Sequence, residues 1–190
     1  MAHDDLFLPD EGELRLCGDV QGKRVIDLGS GAAHAALTFA RMGAKVLAVE
    51  SSAERVLEGR RAAEADGVKV EYHQGDLADL GFATSASVDA VFSAGALAGA
   101  DDLARLVRQV HRVLKPGAPF VFTVPHPAAT MLDGGGSAIV RSYGADGRTV
   151  AGYFTVVTRA DFQIDTVQES MGPGDLVPSR LVMRARKLGV

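Results

Sequence analysis

The segment from Val25 to Gly31 constrains the fold of this chain more than any other part of the sequence. It reads Val-Ile-Asp-Leu-Gly-Ser-Gly, and an alanine-rich stretch with helical spacing follows it. A strand, a glycine turn and a helix in this order bring backbone N–H groups close to a bound ligand, because glycine has no side chain in the way. The sequence therefore predicts a nucleotide-bearing cofactor at this end of a sheet, with Gly29 and Gly31 in the turn.

Two positions in and beside this turn distinguish between cofactors. The dinucleotide fingerprint needs a third glycine where this chain has His34. Asp27 precedes Gly29 by two residues, and a carboxylate there would repel a diphosphate. A cofactor with a positive amine and no phosphate, such as S-adenosylmethionine, suits this carboxylate. We expect Asp27, Gly29, Ser30 and Gly31 to lie along such a cofactor; a turn with a purely structural role is the alternative.

Composition narrows the class of protein. A chain of 190 residues with 47% hydrophobic residues favours a single domain over 1–190 with a sizeable core. The net charge of −4 argues against nucleic-acid binding. Cys17 is the sole cysteine, which favours a reducing, cytoplasmic location, and it shows no metal-ligand spacing with the histidines. No apolar stretch reaches the ~20 residues of a membrane span.

Strand-like and helix-like segments alternate along the chain, as in an α/β fold. Strands are predicted over 24–28, 45–49, 68–72, 87–92, 120–124, 162–168 and 181–183. We expect the first five to be joined by helices and therefore parallel, and the last two to form an antiparallel pair. Ser51 and Glu54 have the spacing of a capping box at one helix start. Residues 126–148 are glycine-rich and irregular, a candidate substrate loop, and residues 1–20 are a candidate lid.

Five short motifs follow one another within residues 22–188. They are Val25-Ile-Asp-Leu-Gly-Ser-Gly31, Val49-Glu50 with Ser52, Gln74-Gly-Asp76-Leu77, Val88-Asp-Ala-Val-Phe-Ser93 and His111-Arg-Val-Leu-Lys-Pro-Gly117. Their order and spacing resemble the class I S-adenosylmethionine-dependent methyltransferases, in particular small bacterial members related to the ubiquinone-biosynthesis methyltransferases. The resemblance implies a Rossmann-like, doubly wound seven-stranded sheet of order 3-2-1-4-5-7-6 with strand 7 antiparallel. It also implies S-adenosylmethionine as the cofactor and methyl transfer to a small-molecule acceptor.

Several side chains acquire expected roles. Glu50 follows Gly31 by 19 residues, where a carboxylate can accept both ribose hydroxyls, although a solvated carboxylate near a helix start is the alternative. Ser51 adjoins Glu50 and is expected in the same cofactor site. By resemblance Asp76 accepts from the adenine amino group and Leu77 packs on the ring; the alternative for Asp76 is a loop residue or helix cap.

The reacting end of the site is less well defined by sequence. Ser93 and Ala94 follow the fourth strand and are expected beneath the transferable methyl, unless they belong to a tightly packed loop. No catalytic base is identifiable; His126, held between two prolines, is the candidate, and a histidine with local hydrogen bonds is the equal alternative. Ala33 and Asp161 occupy positions where many members of the resembling family have glycine.

Other functions stay open at this point. An NAD(P)-dependent oxidoreductase would share the strand, turn and helix, and a non-catalytic S-adenosylmethionine-binding module would share the whole fold. The acceptor molecule and the oligomeric state are not indicated by the sequence.

Overall fold

The computed structural model describes residues 11–31, 33–133, 136 and 138–189. Its helices are α1 (Glu11–Arg15), α2 (His34–Arg41), α3 (Ala53–Ala65), α4 (Leu103–Val113) and α5 (Val150–Arg159). Its strands are β1 (Arg24–Leu28), β2 (Lys45–Glu50), β3 (Val70–Gln74), β4 (Ala90–Ala94), β5 (Pro119–Pro125), β6 (Phe162–Ser170) and β7 (Arg180–Lys187).

The seven strands form one sheet in the order β3-β2-β1-β4-β5-β7-β6. The strands β1 to β5 pair in parallel, whereas β7 is antiparallel to both β5 and β6. The expected topology is therefore confirmed. Burial follows strand position: residues 119–124 of β5 are all buried inside the sheet, while β3 and β6 are the edges and are more exposed.

Helices cover both faces of the sheet. On one face, α2 buries Ala36 and Phe39 against β1 and β2, and the Phe39 ring meets Phe92 of β4 edge-on at 5.6 Å between centroids. On the other face, α4 and α5 pack against β4, β5 and β7 around Phe120 and Phe122. This double covering leaves the carboxyl ends of the parallel strands as the place where loops can form a site.

The link between β3 and β4 differs from expectation. Residues 75–89, which the structure describes throughout, form turns and not a helix. The carboxylates of Asp76 and Asp79 each accept a hydrogen bond from the backbone two residues later, a local pattern that competes with a helix. Arg112 of α4 donates to the carbonyls of Leu80 and Ala83 and fixes this link on the sheet. The crossover is thus short and non-helical, although β3 and β4 lie parallel to their neighbours.

The predicted capping box at Ser51 was also wrong. Ser52 is the N-cap of α3, and its hydroxyl accepts from the N–H of Arg55. The expected strand at 87–92 is shifted too, since β4 runs from Ala90 to Ala94 and Val88 makes only an isolated bridge to Leu114. Ser51 does not cap the helix, because its N–H and hydroxyl both donate to the carboxylate of Glu50.

The two segments predicted as lid and substrate loop are described in part. Residues 11–20 pack on the sheet through Leu14, Cys17 and Val20, and residues 1–10 lie outside the described residues. The stretch after β5 contains a short 3-10 turn, Ala129–Met131, and an isolated bridge between Leu132 and Ile139. Both functions stay predictions. In the described part of the chain, no helix combines the length and apolarity needed to cross a membrane.

Candidate functional site

The glycine turn after β1 lies at the carboxyl edge of the sheet, as predicted. The N–H groups of Gly29 and Ser30 donate to the carbonyl of Val49 at 2.8 and 3.3 Å, which holds the turn beside the end of β2. Gly29 and Gly31 both have positive φ, 73° and 51°, a backbone conformation that glycine adopts without steric cost.

The two glycines serve different purposes. A Cβ on Gly29 would lie 2.3 Å from the Cβ of Ala96, so this glycine allows the loop after β4 to pack on the turn. Among the described residues, a Cβ on Gly31 would meet one heavy atom within 4 Å, Nη1 of Arg55 at 3.9 Å. These residues therefore leave the space in front of Gly31 open, and a ligand can approach the backbone there.

Ala33 ends the turn in the left-handed region, with φ 66°, and Asp161 has φ 59° after α5. These are the two positions where the family that this chain resembles often has glycine. The positive φ is the physical reason, because glycine adopts it freely. A side chain in this conformation costs about 1–2 kcal/mol. Ala33 is fully buried against the α2 face, so its methyl points into the core and leaves the ligand space clear.

Glu50 ends β2 directly beside the turn, and the residue is 4% exposed. Oε2 accepts from the N–H of Gly31 at 2.9 Å, and Oε1 accepts from the N–H of Ser51 and Ser52 at 2.8 and 3.1 Å. The carboxylate thus ties the glycine turn to the start of α3. Glu50 is therefore not the solvated carboxylate of the alternative interpretation. A ligand hydroxyl would share carboxylate oxygens that already accept from backbone N–H groups.

Asp27 is buried beneath the first turn of α2. Its Oδ2 accepts from the N–H of Ala36 at 3.0 Å, whereas no described residue donates to Oδ1. Burial raises the pKa of Asp27 to about 7, the Ala36 hydrogen bond opposes this shift, and the charge of Glu50 adds to it. Among the described residues, no Lys or Arg forms an ion pair with either carboxylate.

Asp76 and Leu77 follow β3, at the same edge of the sheet. Asp76 accepts from the N–H of Ala78 at 2.8 Å, and its other oxygen is 3.6 Å from Nη1 of Arg105, with the side chain 60% exposed. Leu77 is half-buried, and its Cδ1 would be 3.4 Å from a Cβ on Gly29. The structure thus brings Leu77 against the glycine turn, and Asp76 to the surface of the same region.

Ser93 and Ala94 end β4, between β1 and β5. Ser93 is fully buried, and its hydroxyl donates to the carbonyl of Leu28 at 2.7 Å, so it is engaged within the sheet. Ala94 is half-buried at the strand end. Of the two, Ala94 is the one whose small side chain leaves room at the edge of the sheet.

His126 follows β5 and is 5% exposed. Its Nδ1 accepts from the N–H of Ala128 at 3.1 Å, so in the neutral ring the proton is on Nε2, which lies 2.8 Å from Oε1 of Glu169. With Nδ1 accepting and Nε2 donating, the ring has no free acceptor nitrogen. This arrangement favours local hydrogen bonding over the role of a general base.

Two contacts in this region were missed by sequence reasoning. Glu169 of β6 holds His126 across a separation of 43 residues, and Arg148 donates to the carbonyls of Ala98 and Ala100. Through Arg148 the end of the irregular stretch is attached to the loop that packs on Gly29. Neither residue belongs to a recognisable motif. The described residues hold no cluster of three or more His, Cys, Asp or Glu side chains suited to a metal ion.

Comparison with known proteins agrees with this geometry. Residues 26–122 match the family described as methyltransferase domain. The chain is 34% identical over 110 residues to the ubiquinone biosynthesis O-methyltransferase of Sodalis glossinidius, covering 58% of this chain and 44% of that protein. It is 30% identical over 122 residues to the malonyl-[acyl-carrier protein] O-methyltransferase of Pectobacterium atrosepticum, covering 64% and 44%. The chain spans less than half the length of these relatives.

The fold is found in solved structures as well. An S-adenosylmethionine-dependent methyltransferase from Mesorhizobium loti superposes with a TM-score of 0.77 at 27% sequence identity, covering 93% of this chain and 96% of that chain. A methyltransferase of the same kind from Aquifex aeolicus superposes with a TM-score of 0.76 at 19% identity, which supports the fold alone.

Proposed function

Because the chain belongs to the family of S-adenosylmethionine-dependent methyltransferases, we propose that it transfers the methyl group of S-adenosylmethionine to a small-molecule acceptor. The observation that carries this proposal is the buried carboxylate of Asp27, which accepts from the N–H of Ala36 through Oδ2 and forms no ion pair with a Lys or Arg among the described residues. A buried carboxylate without a counter-ion is costly to ionise, and a cationic ligand would relieve that cost.

The residues present fit this cofactor. S-adenosylmethionine has a positive amine and a positive sulfonium, and the site contains two buried carboxylates, Asp27 and Glu50, without a Lys or Arg partner among the described residues. Gly31, whose N–H donates to Glu50, leaves open space beside that carboxylate among the described residues. The same carboxylates would repel the diphosphate of a dinucleotide, which disfavours the oxidoreductase alternative.

The chain's own residues would act by binding and orienting. Asp27 would hold the amine, Glu50 the ribose hydroxyls, and Asp76 with Leu77 the adenine. When bound, the cofactor supplies an activated methyl group for in-line displacement. Holding an acceptor in line at near-attack distance can supply much of the acceleration. Since His126 has no free acceptor nitrogen, we propose an acceptor that reacts without a base at that position.

The decisive test is incubation of the full chain with methyl-labelled S-adenosylmethionine and a panel of small phenols, carboxylic acids and amines. We include oxygen acceptors first, because the relatives named above are O-methyltransferases. Labelled product is the expected result. Calorimetric titration with S-adenosylhomocysteine and with NAD is run beside it. Tight binding of S-adenosylhomocysteine without any product would favour a binding module, and binding of NAD alone would overturn the proposal.

Substitution of Glu50 tests the ribose contact. Glu50→Ala removes an acceptor from the hydroxyls and also leaves the N–H of Gly31 unpaired. We expect the binding free energy of S-adenosylhomocysteine to become less favourable by about 1–3 kcal/mol. Glu50→Gln retains one carbonyl oxygen and should lose less. Both variants are titrated at a temperature where circular dichroism shows them folded; wild-type affinity in Glu50→Ala would remove Glu50 from the site.

Asp76 has a matched control in Asp79. Both carboxylates accept from a backbone N–H two residues later, both are within ion-pair distance of Arg105, and both are about 60% exposed. Asp76→Ala should weaken binding of S-adenosylhomocysteine about tenfold through loss of the adenine contact, and Asp79→Ala should leave it unchanged. Equal effects of the two substitutions, measured by calorimetry, would show that Asp76 serves the turn and not the adenine.

A further inference from the structure

A cavity of about 420 Å³ opens at the amino ends of β1, β2 and β3. This is the end of the sheet opposite the glycine turn, so the cavity is separate from the cofactor site. It lies on the face of β2 and β3 that a crossover helix would cover if residues 75–89 were helical; Ala83 and Val88 of that link form one wall. Small-molecule pockets occupy roughly 300–1,000 Å³, and this cavity is of that size.

Three basic residues stand in a row at its mouth. Arg24 and Lys45 are directly opposite each other across β1 and β2. Val46 opposes Val70 across β2 and β3, which places Lys69 beside Lys45. All three line the cavity and are exposed.

This row is unfavourable by itself. Neighbouring strands are about 4.8 Å apart, and like charges directly opposite each other in a sheet are destabilising. No described residue forms a hydrogen bond or ion pair with the side-chain nitrogens of Arg24, Lys45 or Lys69. The row is also contrary to the net charge of the chain, which is −4. An anion in the cavity would neutralise the repulsion.

The floor behind this row is mostly apolar. Side chains two residues further along each strand point to the same face, so Ile26, Leu47 and Glu71 come next to Arg24, Lys45 and Lys69 respectively. Two of these three are aliphatic, and Glu71 lies at the outer strand β3. Leu47 is half-buried and Ile26 is 1% exposed, so a ligand with its charge at the mouth would have the apolar surface of Leu47 on β2 beneath its body.

We propose that this cavity binds a small amphipathic anion, a phosphate monoester or a carboxylate attached to an apolar body. The anionic group lies against Arg24, Lys45 and Lys69, where charge-assisted hydrogen bonds are available. The apolar body packs on the half-buried Leu47, with Ile26 buried behind it. This site does not depend on the reaction at the other end of the sheet.

The test is calorimetric titration of the full chain, saturated with S-adenosylhomocysteine, using phenyl phosphate and octanoate as probes. We expect at least one probe to bind with a dissociation constant of about 1 mM or tighter. The better probe distinguishes the phosphate from the carboxylate head group. Inorganic phosphate and 1-octanol, which each have one half of the chemistry, should bind about tenfold more weakly.

Lys45, in the centre of the row, is the residue to change, and Lys23 is its control. Lys23 is exposed and adjacent in sequence to Arg24 but does not line the cavity. Lys45→Gln should weaken the probe about tenfold, and Lys23→Gln by less than about twofold. Arg24→Gln provides a second variant with the same expectation as Lys45→Gln.

Three results would overturn the proposal. The first is absence of heat from both probes at about 10 mM, well above the expected dissociation constant. The second is equal affinity of Lys45→Gln and the unmodified chain. The third is competition between the probe and S-adenosylhomocysteine, which would place the probe in the cofactor site.

Discussion

Gly31→Val is expected to raise the dissociation constant for S-adenosylhomocysteine at least about 100-fold. Among the described residues, a Cβ at this position meets one flexible atom, Nη1 of Arg55 at 3.9 Å, so the protein itself leaves room for an added Cβ. The valine would fill the open space where the proposed ligand approaches Gly31. The loss is therefore a loss of binding that does not require a collapsed turn.

The backbone of Gly31 adds a second effect that needs a control. With φ at 51°, a branched side chain is strained, and the free energy of unfolding should fall by about 1–2 kcal/mol. Gly67 has φ 68° and no atom of the described residues within 4 Å of an added Cβ, and it lies beyond α3, away from the turn. Gly67→Val should show the same strain with unchanged cofactor affinity.

Denaturant unfolding and calorimetry on the two variants separate strain from binding. Equal, near wild-type affinity in both would remove Gly31 from the site. Gly29→Val is less informative, since its Cβ would collide with Ala96 at 2.3 Å and disturb the packing of the loop after β4.

The sheet order was predictable through the resemblance to the methyltransferase family, which implied it. The burial of the strands agrees with that order, because β5 is buried as an interior strand and β3 and β6 are more exposed as edges. The link between β3 and β4 was not predictable in the same way. Its turns depend on local carboxylate contacts and on Arg112, which reaches back from α4 to Leu80.

The motifs predicted which residues lie at this edge of the sheet, but not the contacts among them. Glu50 and Gly31 are 19 residues apart and bond directly, a contact that the expected ribose role of Glu50 did not include. The Gly29–Ala96 contact, the Arg148 hydrogen bonds and the His126–Glu169 pair join segments that only the folded chain brings together. These tertiary contacts leave no periodicity or motif in the sequence.

Asp27→Asn is expected to remove a pH dependence of stability. The folded-state pKa of Asp27 is about 7, above its ordinary value of 3.8, so the native state retains a proton that the unfolded chain releases. Between about pH 4 and pH 7 the free energy of unfolding should therefore fall as pH rises, by about 4 kcal/mol in all, and then level off. Asparagine stays neutral and can accept the same hydrogen bond from Ala36.

The comparison is made by urea denaturation of both proteins at pH 5 and pH 8. At pH 8 Asp27→Asn should be the more stable protein, by up to about 4 kcal/mol, and at pH 5 the two should be closer. Other titrating groups contribute equally to both, so the difference isolates Asp27. A difference that does not change with pH would show that Asp27 is ionised at its ordinary pKa.

Cofactor binding should depend on pH in the opposite direction to stability, becoming stronger as pH rises. Glu50 is the charged group that raises the pKa of Asp27, and no Lys or Arg of the described residues forms an ion pair with Asp27, so an ionised Asp27 has no counter-ion among them until a ligand supplies one. A cationic ligand therefore lowers the pKa of Asp27 and releases its proton.

Affinity for S-adenosylmethionine should rise by up to about tenfold per pH unit between pH 5 and 7 in the unmodified chain. It should be flat and weaker in Asp27→Asn. Proton release during titration in two buffers of different ionisation enthalpy measures this link directly; binding without proton release at pH 6 would separate Asp27 from the amine.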